Sequence, residues 1–289
     1  MQNKVLIILG MHRSGTSLVA QCLQRCGLHI GDRLVGAGRG NIEGHFEDRD
    51  FLDLHRSILT STKLPDTGLI SESNPALDNT HLKGIRELIA LKNNLNEEWG
   101  WKEPRTCLFL QQYRNVLPTA KYVILLRDYN SVVDSLIRRD LDKIESKFLQ
   151  KSNFVKHLLW KFYKRKRIKR LFYERGTTHY LKIWISYNEK LLQHIHSITL
   201  DDYLLTDVNS LIKQSDMVMD YINEKWSFTL KPQKFAHVYK ESLINNKANV
   251  RRFIKDDTLI EKAIELTAAL QQFHFTHLSR TNIIKEVVA

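Results

Sequence analysis

The chain has 289 residues, with 44 Lys and Arg against 32 Asp and Glu for a net charge of +12, and is 43% hydrophobic and 26% charged. This composition excludes a collagen-like or wholly disordered chain, and three cysteines build no disulfide framework, so free thiols in a reducing, cytoplasmic setting are expected. No apolar run approaches the roughly 18 to 20 residues of a membrane span, the run at 5–9 is too short for a signal-peptide core, and the apolar fraction suffices for one large domain or two small ones.

Residues 4–9 form a short continuous apolar run ending at Gly10, the pattern of a strand buried on both faces. A helix follows from about 14–17, with Leu18, Val19, Cys22, Leu23 and Cys26 at helical spacing and Gly27 as its stop. Cys22 and Cys26 lie one turn apart, but with no second pair they read as core residues, and no metal is expected. Further helices are predicted at 50–59 and 73–98, and a Trp99-Gly-Trp101 segment leads into Lys102-Glu-Pro104. Residues 121–126 repeat the buried-strand pattern, followed by the turn Arg127-Asp128 and a helix through Val132, Val133, Leu136 and Ile137. Two strand-turn-helix units argue for an α/β chain with a doubly wound parallel sheet, organised as a single domain over 1–289.

The charge is concentrated in one place. Residues 147–175 carry eleven Lys and Arg and one acid, which is +10 of the total, so the remainder is nearly neutral. Phe148, Phe154, Leu158, Trp160, Phe162 and Tyr173 are interleaved with these cations. The segment reads as a basic helical insertion: a plain amphipathic helix, a lid over an acidic acceptor, a nucleic-acid arm, or a helix docking on an anionic membrane, the last being the favoured functional role. Beyond it, a helix at 180–194, a short strand at 197–200, a helix at 208–226 and a terminal helix at 257–273 continue the alternation.

The strongest chemical signal is Gly10-Met-His-Arg-Ser-Gly-Thr-Ser17 at the first strand-to-helix turn. Successive backbone N–H groups and the positive end of a helix make an anion site there, and the hydroxyls of Ser14, Thr16 and Ser17 add donors. The Gly-x-x-x-x-Gly spacing matches a nucleotide-triphosphate loop, yet Thr16 stands where that motif places Lys, and the positive charge has moved to Arg13. The plainer alternative is a helix cap with a tight turn.

This loop resembles the 5′-phosphosulfate loop of sulfotransferases that use 3′-phosphoadenosine 5′-phosphosulfate, and three further segments resemble the family in the expected order. Asn41-Ile-Glu-Gly-His-Phe-Glu47 is similar to a stretch of bacterial-type and carbohydrate-directed members, Lys102-Glu-Pro104 to an element of tyrosyl-protein sulfotransferases, and 122–135 to the strand, turn and helix that hold the 3′-phosphate. The resemblance implies a P-loop-like fold and sulfuryl transfer to a hydroxyl, most directly on a carbohydrate or lipid-linked glycan. It implies that Arg13, Ser14, Gly15, Thr16 and Ser17 hold the 5′-phosphosulfate, and that Arg127 and Ser135 hold the 3′-phosphate. Lys102 becomes the catalytic cation, assisted by Arg13, and Glu47 the general base, with His45 and His55 as rivals. Glu103 is an alternative orienter of Lys102. Lys247, Arg251 and Arg252 fit a late basic clamp poorly, and Leu200 stands before Asp201-Asp202 where the family pattern has a tyrosine. An ATP-dependent phosphotransferase and a basic nucleic-acid-binding protein are the alternatives; the missing loop lysine and the Arg127–Ser135 pair count against the first, and no nucleic acid is expected as a partner.

Overall fold

The computed structural model describes residues 3–36, 38, 44–71, 74–150, 160, 164–239 and 248–275. Four strands, β1 (Lys4–Leu9), β2 (Glu98–Lys102), β3 (Lys121–Leu125) and β4 (Tyr203–Thr206), form a parallel sheet in the order β2-β1-β3-β4. The helices are α1 (Thr16–Arg25), α2 (Arg49–Ser61), α3 (Asn79–Leu95), α4 (Leu110–Val116), α5 (Tyr129–Gln150), α6 (Arg165–Ile195), α7 (Val208–Lys213), α8 (Ser215–Asp220) and α9 (Asp257–Gln271).

The strands alternate their side chains between two apolar layers, which is why their sequences read as unbroken hydrophobic runs. Val5, Ile7 and Leu9 enter one core with Trp99, Trp101, Tyr122 and Ile124, against α2, α3, α5, α6 and α9. Leu6, Ile8, Val123 and Leu125 enter the other, with the Val19, Cys22, Leu23 and Cys26 face of α1 and with Leu211 and Val218. The expected doubly wound parallel sheet is thus present, and the two cysteines of α1 are core residues.

Two late elements differ from expectation. Residues 197–200 are not a strand: Ser197 Oγ donates to the His194 carbonyl at 2.7 Å, and Thr199 and Asp202 form a reciprocal cap, so these polar side chains close a turn and the strand begins at Tyr203. The helix expected at 208–226 is broken after Lys213, where Ser215 Oγ donates to the carbonyls of Leu211 and Ile212 and competes with helix propagation. Conversely, the helix expected at 180–194 is the second half of α6. That helix runs back along α5, with Glu145 meeting Arg165 at 2.9 Å near the start of α6 and Trp184 Nε1 donating to the Arg127 carbonyl at 3.0 Å further along it. Residues 151–159 and 161–163 of the basic segment lie outside the described residues, as do 41–43, Ser73 and Lys247.

Candidate active site

The carboxyl ends of β1, β2 and β3 deliver three chain segments to one place, the usual position for ligands in an open parallel sheet whose strand order reverses. After β1 the chain turns through Gly10 at φ 152° and Gly15 at φ 104°. A Cβ on Gly10 would sit 2.6 Å from Ser14 Oγ and 2.9 Å from the Leu125 carbonyl, so only glycine lets the loop close here. Gly15 is the left-handed residue immediately before α1, and no side chain caps that helix. The hydroxyl of Ser14 is buried and has no hydrogen-bond partner. None of the loop hydroxyls caps α1, and a buried hydroxyl without a partner at a helix N-terminus is of a kind that suits an anionic oxygen.

Arg13, itself at φ 72°, donates from Nε to Ser135 Oγ at 2.8 Å. Arg127 donates from Nη1 to the Arg13 carbonyl at 2.6 Å, and its own carbonyl is held by Trp184. Asp128 receives the backbone N–H and the hydroxyl of Ser131 at the start of α5, and its charge opposes the lowering of the Arg127 pKa by burial. Burial, then the neighbouring Arg127, Arg139 and Arg138, pull the Arg13 guanidinium down to about 10. Arg138 and Arg139 are paired with Asp134 at 3.0 Å and Asp140 at 3.3 Å, so the positive charge an anion would relieve centres on Arg13 and Arg127. Arg138 and Arg139, three and four residues after Ser135, are the cations that sequence reasoning missed; the helical repeat places Arg139 one turn beyond Ser135 on the same face of α5. Arg251 and Arg252 are exposed, and Arg252 lies over the Phe253 ring at 4.8 Å.

At the end of β2, Lys102 is buried to 1% exposure and its ammonium donates to Glu47 Oε1 at 2.7 Å. Burial lowers its pKa below the ordinary lysine range, opposed by the charge and hydrogen bond of Glu47. Glu47 is not the residue that starts α2: Asp48 takes that role, accepting from the Asp50 N–H at 3.0 Å, which leaves Glu47 for Lys102. Ser17 Oγ donates to the His45 carbonyl at 3.1 Å and ties this stretch to the first loop. The His45 imidazole lies partly buried beside the same group, and burial, together with Lys102 and Arg13, lowers its pKa against the opposing charge of Glu47.

His55 is not available as a base, because Nδ1 faces Glu103 Oε2 at 2.5 Å and Nε2 faces the Tyr113 hydroxyl at 2.7 Å, all buried. Glu103 does not bond Lys102 either. It takes Arg105 Nη1 and His55, and although burial would raise its pKa, these partners hold it down to about 2. The buried Tyr113–His55–Glu103–Arg105 chain was not legible beyond Lys102-Glu-Pro104, since its members come from three separated segments. A second acidic group, Asp32, Asp48 and Asp50, is near enough together for a metal, but Lys92 Nζ lies 2.7 to 2.8 Å from each carboxylate and serves as its cation.

What fold and site define is a parallel α/β protein whose glycine-bounded loop after the first strand holds a buried hydroxyl without a partner. No family model matches the sequence, and neither does any curated protein. Among solved structures, the chain is similar to sulfotransferase STF9 from Mycobacterium avium (14% identity, TM-score 0.47, over 78% of this chain and 64% of that one). It is also similar to the sulfotransferase domain from the curacin biosynthetic pathway (13%, TM-score 0.46, 93% of this chain and 98% of that one) and to that of the Synechococcus PCC 7002 olefin synthase (16%, TM-score 0.46, 94% and 96%). The chain therefore spans a little under two thirds of the Mycobacterium avium protein. At these identities, function is argued from this chain's own side chains.

Proposed function

We propose that this chain is a sulfotransferase that moves a sulfuryl group from 3′-phosphoadenosine 5′-phosphosulfate to an acceptor hydroxyl on a carbohydrate or lipid-linked glycan. The observation that carries the reading is the convergence of Arg13, Arg127 and Ser135, joined by bonds of 2.8 and 2.6 Å, beside the orphan Ser14 hydroxyl. Two anion sites side by side, one at the loop and one at the start of α5, suit a donor with a 5′-phosphosulfate and a separate 3′-phosphate. In this reading the loop N–H groups of residues 15–17, with the Ser14 and Thr16 hydroxyls, take the 5′ end, while the Ser17 hydroxyl ties the loop to the His45 carbonyl. Arg127 and Ser135 take the 3′-phosphate, and Arg13 bridges the two.

In-line transfer forms a bond from the acceptor oxygen to sulfur and breaks the bond from sulfur to the phosphate oxygen. Lys102 and Arg13 meet the negative charge that develops on the leaving phosphate, where preorganised cations act most strongly. Glu47 accepts the hydroxyl proton within hydrogen-bond reach. Its ion pair with Lys102 holds the carboxylate in place before substrates arrive, and transfer of Lys102 to the donor oxygen frees Glu47 to act as base. His45, on the same stretch, lines the acceptor side. These residues call for no metal.

The exposed Lys164, Arg165, Lys166, Arg167, Lys169 and Arg170, with Leu171 at 38% exposure, support docking of the 147–175 insertion on an anionic membrane from the cytoplasmic side. Among the described residues no helix is long and apolar enough to cross a membrane. Calorimetry with adenosine 3′,5′-bisphosphate against ATP tests the central reading. Tight bisphosphate binding that weakens in Arg127→Ala is expected, and a preference for ATP overturns it in favour of phosphoryl transfer.

A further inference from the structure

We propose that His12 is a further catalytic residue of this site: its Nε2–H donates a hydrogen bond to an equatorial oxygen of the sulfuryl group in transfer. This rests on the sulfotransferase reading above. The loop between Gly10 and Gly15 contains two buried side-chain atoms without a hydrogen-bond partner, Ser14 Oγ and His12 Nε2. A buried orphan on an imidazole is costly to keep, and two in one short loop mark a surface made for a ligand. The anion-facing role of Ser14 is accounted for by the 5′-phosphate; that of His12 is not.

Its surroundings indicate the ligand. The His12 ring meets Tyr187 edge to face, with centroids 6.1 Å apart, and Tyr187 is itself fixed by donating its hydroxyl to the Gly68 carbonyl at 2.7 Å. The imidazole is therefore backed by a rigid wall, between the phosphate loop and the end of β2 where Lys102 stands. Burial, then the charges of Arg105, Arg139 and Lys102, hold its pKa well below the ordinary histidine range against the opposing charge of Glu103. The ring is thus neutral at physiological pH and carries one N–H. It cannot add another cation to a crowded positive site, and it is a poor base, but it can donate to an oxygen.

A sulfuryl group in flight has three equatorial oxygens between the leaving phosphate and the acceptor. Arg13 and Lys102 approach from the donor side; His12 offers a donor from the floor of the site. No proton leaves the imidazole and no bond to it forms, so the step balances as written for Glu47 and Lys102.

The test uses His12→Phe, which keeps a ring against Tyr187 and removes the donor, and His12→Asn, which keeps a shorter N–H donor. Adenosine 3′,5′-bisphosphate lacks the sulfuryl group, so its affinity should stay within about twofold in both variants. In His12→Phe, kcat should fall roughly a hundredfold. Binding of the intact phosphosulfate without acceptor should weaken several-fold, and His12→Asn should recover part of both losses. Equal loss of bisphosphate affinity and kcat would show that His12 only shapes the loop and would overturn the proposal, as would full turnover in His12→Phe. Failure of the wild-type protein to bind the bisphosphate at all is a separate result that removes the sulfotransferase reading itself.

Discussion

Two basic regions of this molecule differ in every physical respect. At the end of the sheet, Lys102 is buried and Arg13 and Arg127 are half-buried, each engaged by a named partner, and Arg13 is pulled down to about 10 by burial and by other arginines. Along the start of α6, six of the seven residues 164–170 are exposed cations that lie in water, which screens them from one another. Charge that is desolvated and fixed binds a particular anion in a particular geometry. Charge that is solvated and mobile provides attraction to an extended negative surface and little else. Net charge of the chain is set by the second region, whereas the proposed chemistry rests on the first.

The predictions that probe this contrast begin with the buried cations. Lys102→Met removes the charge opposite Glu47 and should lower kcat by about two to three orders of magnitude, with bisphosphate affinity changing far less, as measured by steady-state kinetics and calorimetry. Arg127→Ala should weaken bisphosphate binding by about 1.5 to 3 kcal/mol, the range for a hydrogen bond to a charged group. An equal effect on ATP would argue against a dedicated 3′-phosphate site.

Gly10→Ala forces a Cβ against the Leu125 carbonyl at 2.9 Å in a backbone conformation that favours glycine, and a loss of about 1 to 3 kcal/mol in thermal or urea unfolding is expected. Reversal of Lys164 to Arg167 to glutamates should abolish binding to anionic vesicles while leaving bisphosphate affinity unchanged. Vesicle binding that survives the reversal, or that is absent in the wild type at moderate salt, removes the membrane role.

The smallest effect is on stability against pH. Burial lowers His194 to about 4, so the folded state loses stability as pH falls below the ordinary histidine value of 6.5 toward 4, since the unfolded chain takes up that proton first. Glu103, held to about 2 against an ordinary 4.5, contributes stability above 4.5 that is lost as pH falls toward 2. Melting temperature should be flat in these two contributions above pH 6.5 and decline in two stages below it. His194→Gln should shrink the upper stage, to which the lowered His12 and His45 also contribute, while Glu103→Gln, which breaks the contacts to Arg105 and His55, should remove the lower one at a cost in overall stability.

Much of the site was legible from local pattern because its ligands sit at strand ends. A buried run followed by a polar turn marks the sheet's carboxyl edge, and Arg13, Lys102 and Arg127 all occupy that position. The loop glycines were readable for the same reason. Less legible was which of several acids and histidines near Glu47 does what: Asp48 starts α2, Asp50 shares Lys92, and His55 turns inward to Glu103, because the helix faces of α2 assign inward and outward positions that a short polar cluster does not reveal. The strand at 203–206 was displaced because a preceding apolar pair, Ile198 and Leu200, imitates a strand while Ser197, Thr199 and Asp202 are consumed by turn bonds.

The sequence by itself determined the parallel α/β pattern, the glycine-bounded loop after the first strand and the separation of the basic segment from a nearly neutral remainder. These follow from residue spacing and from the conformational needs of glycine, which act over a few residues. Only the tertiary structure decided that Arg13 meets Ser135 across 122 residues, that Lys102 meets Glu47 across 55, and that His12 and Ser14 are buried without partners. Such contacts are fixed by how β1, β2 and β3 lie side by side and how α5 and α6 close over them. Burial then assigns each charged group its partner, because a charge withdrawn from water must find one.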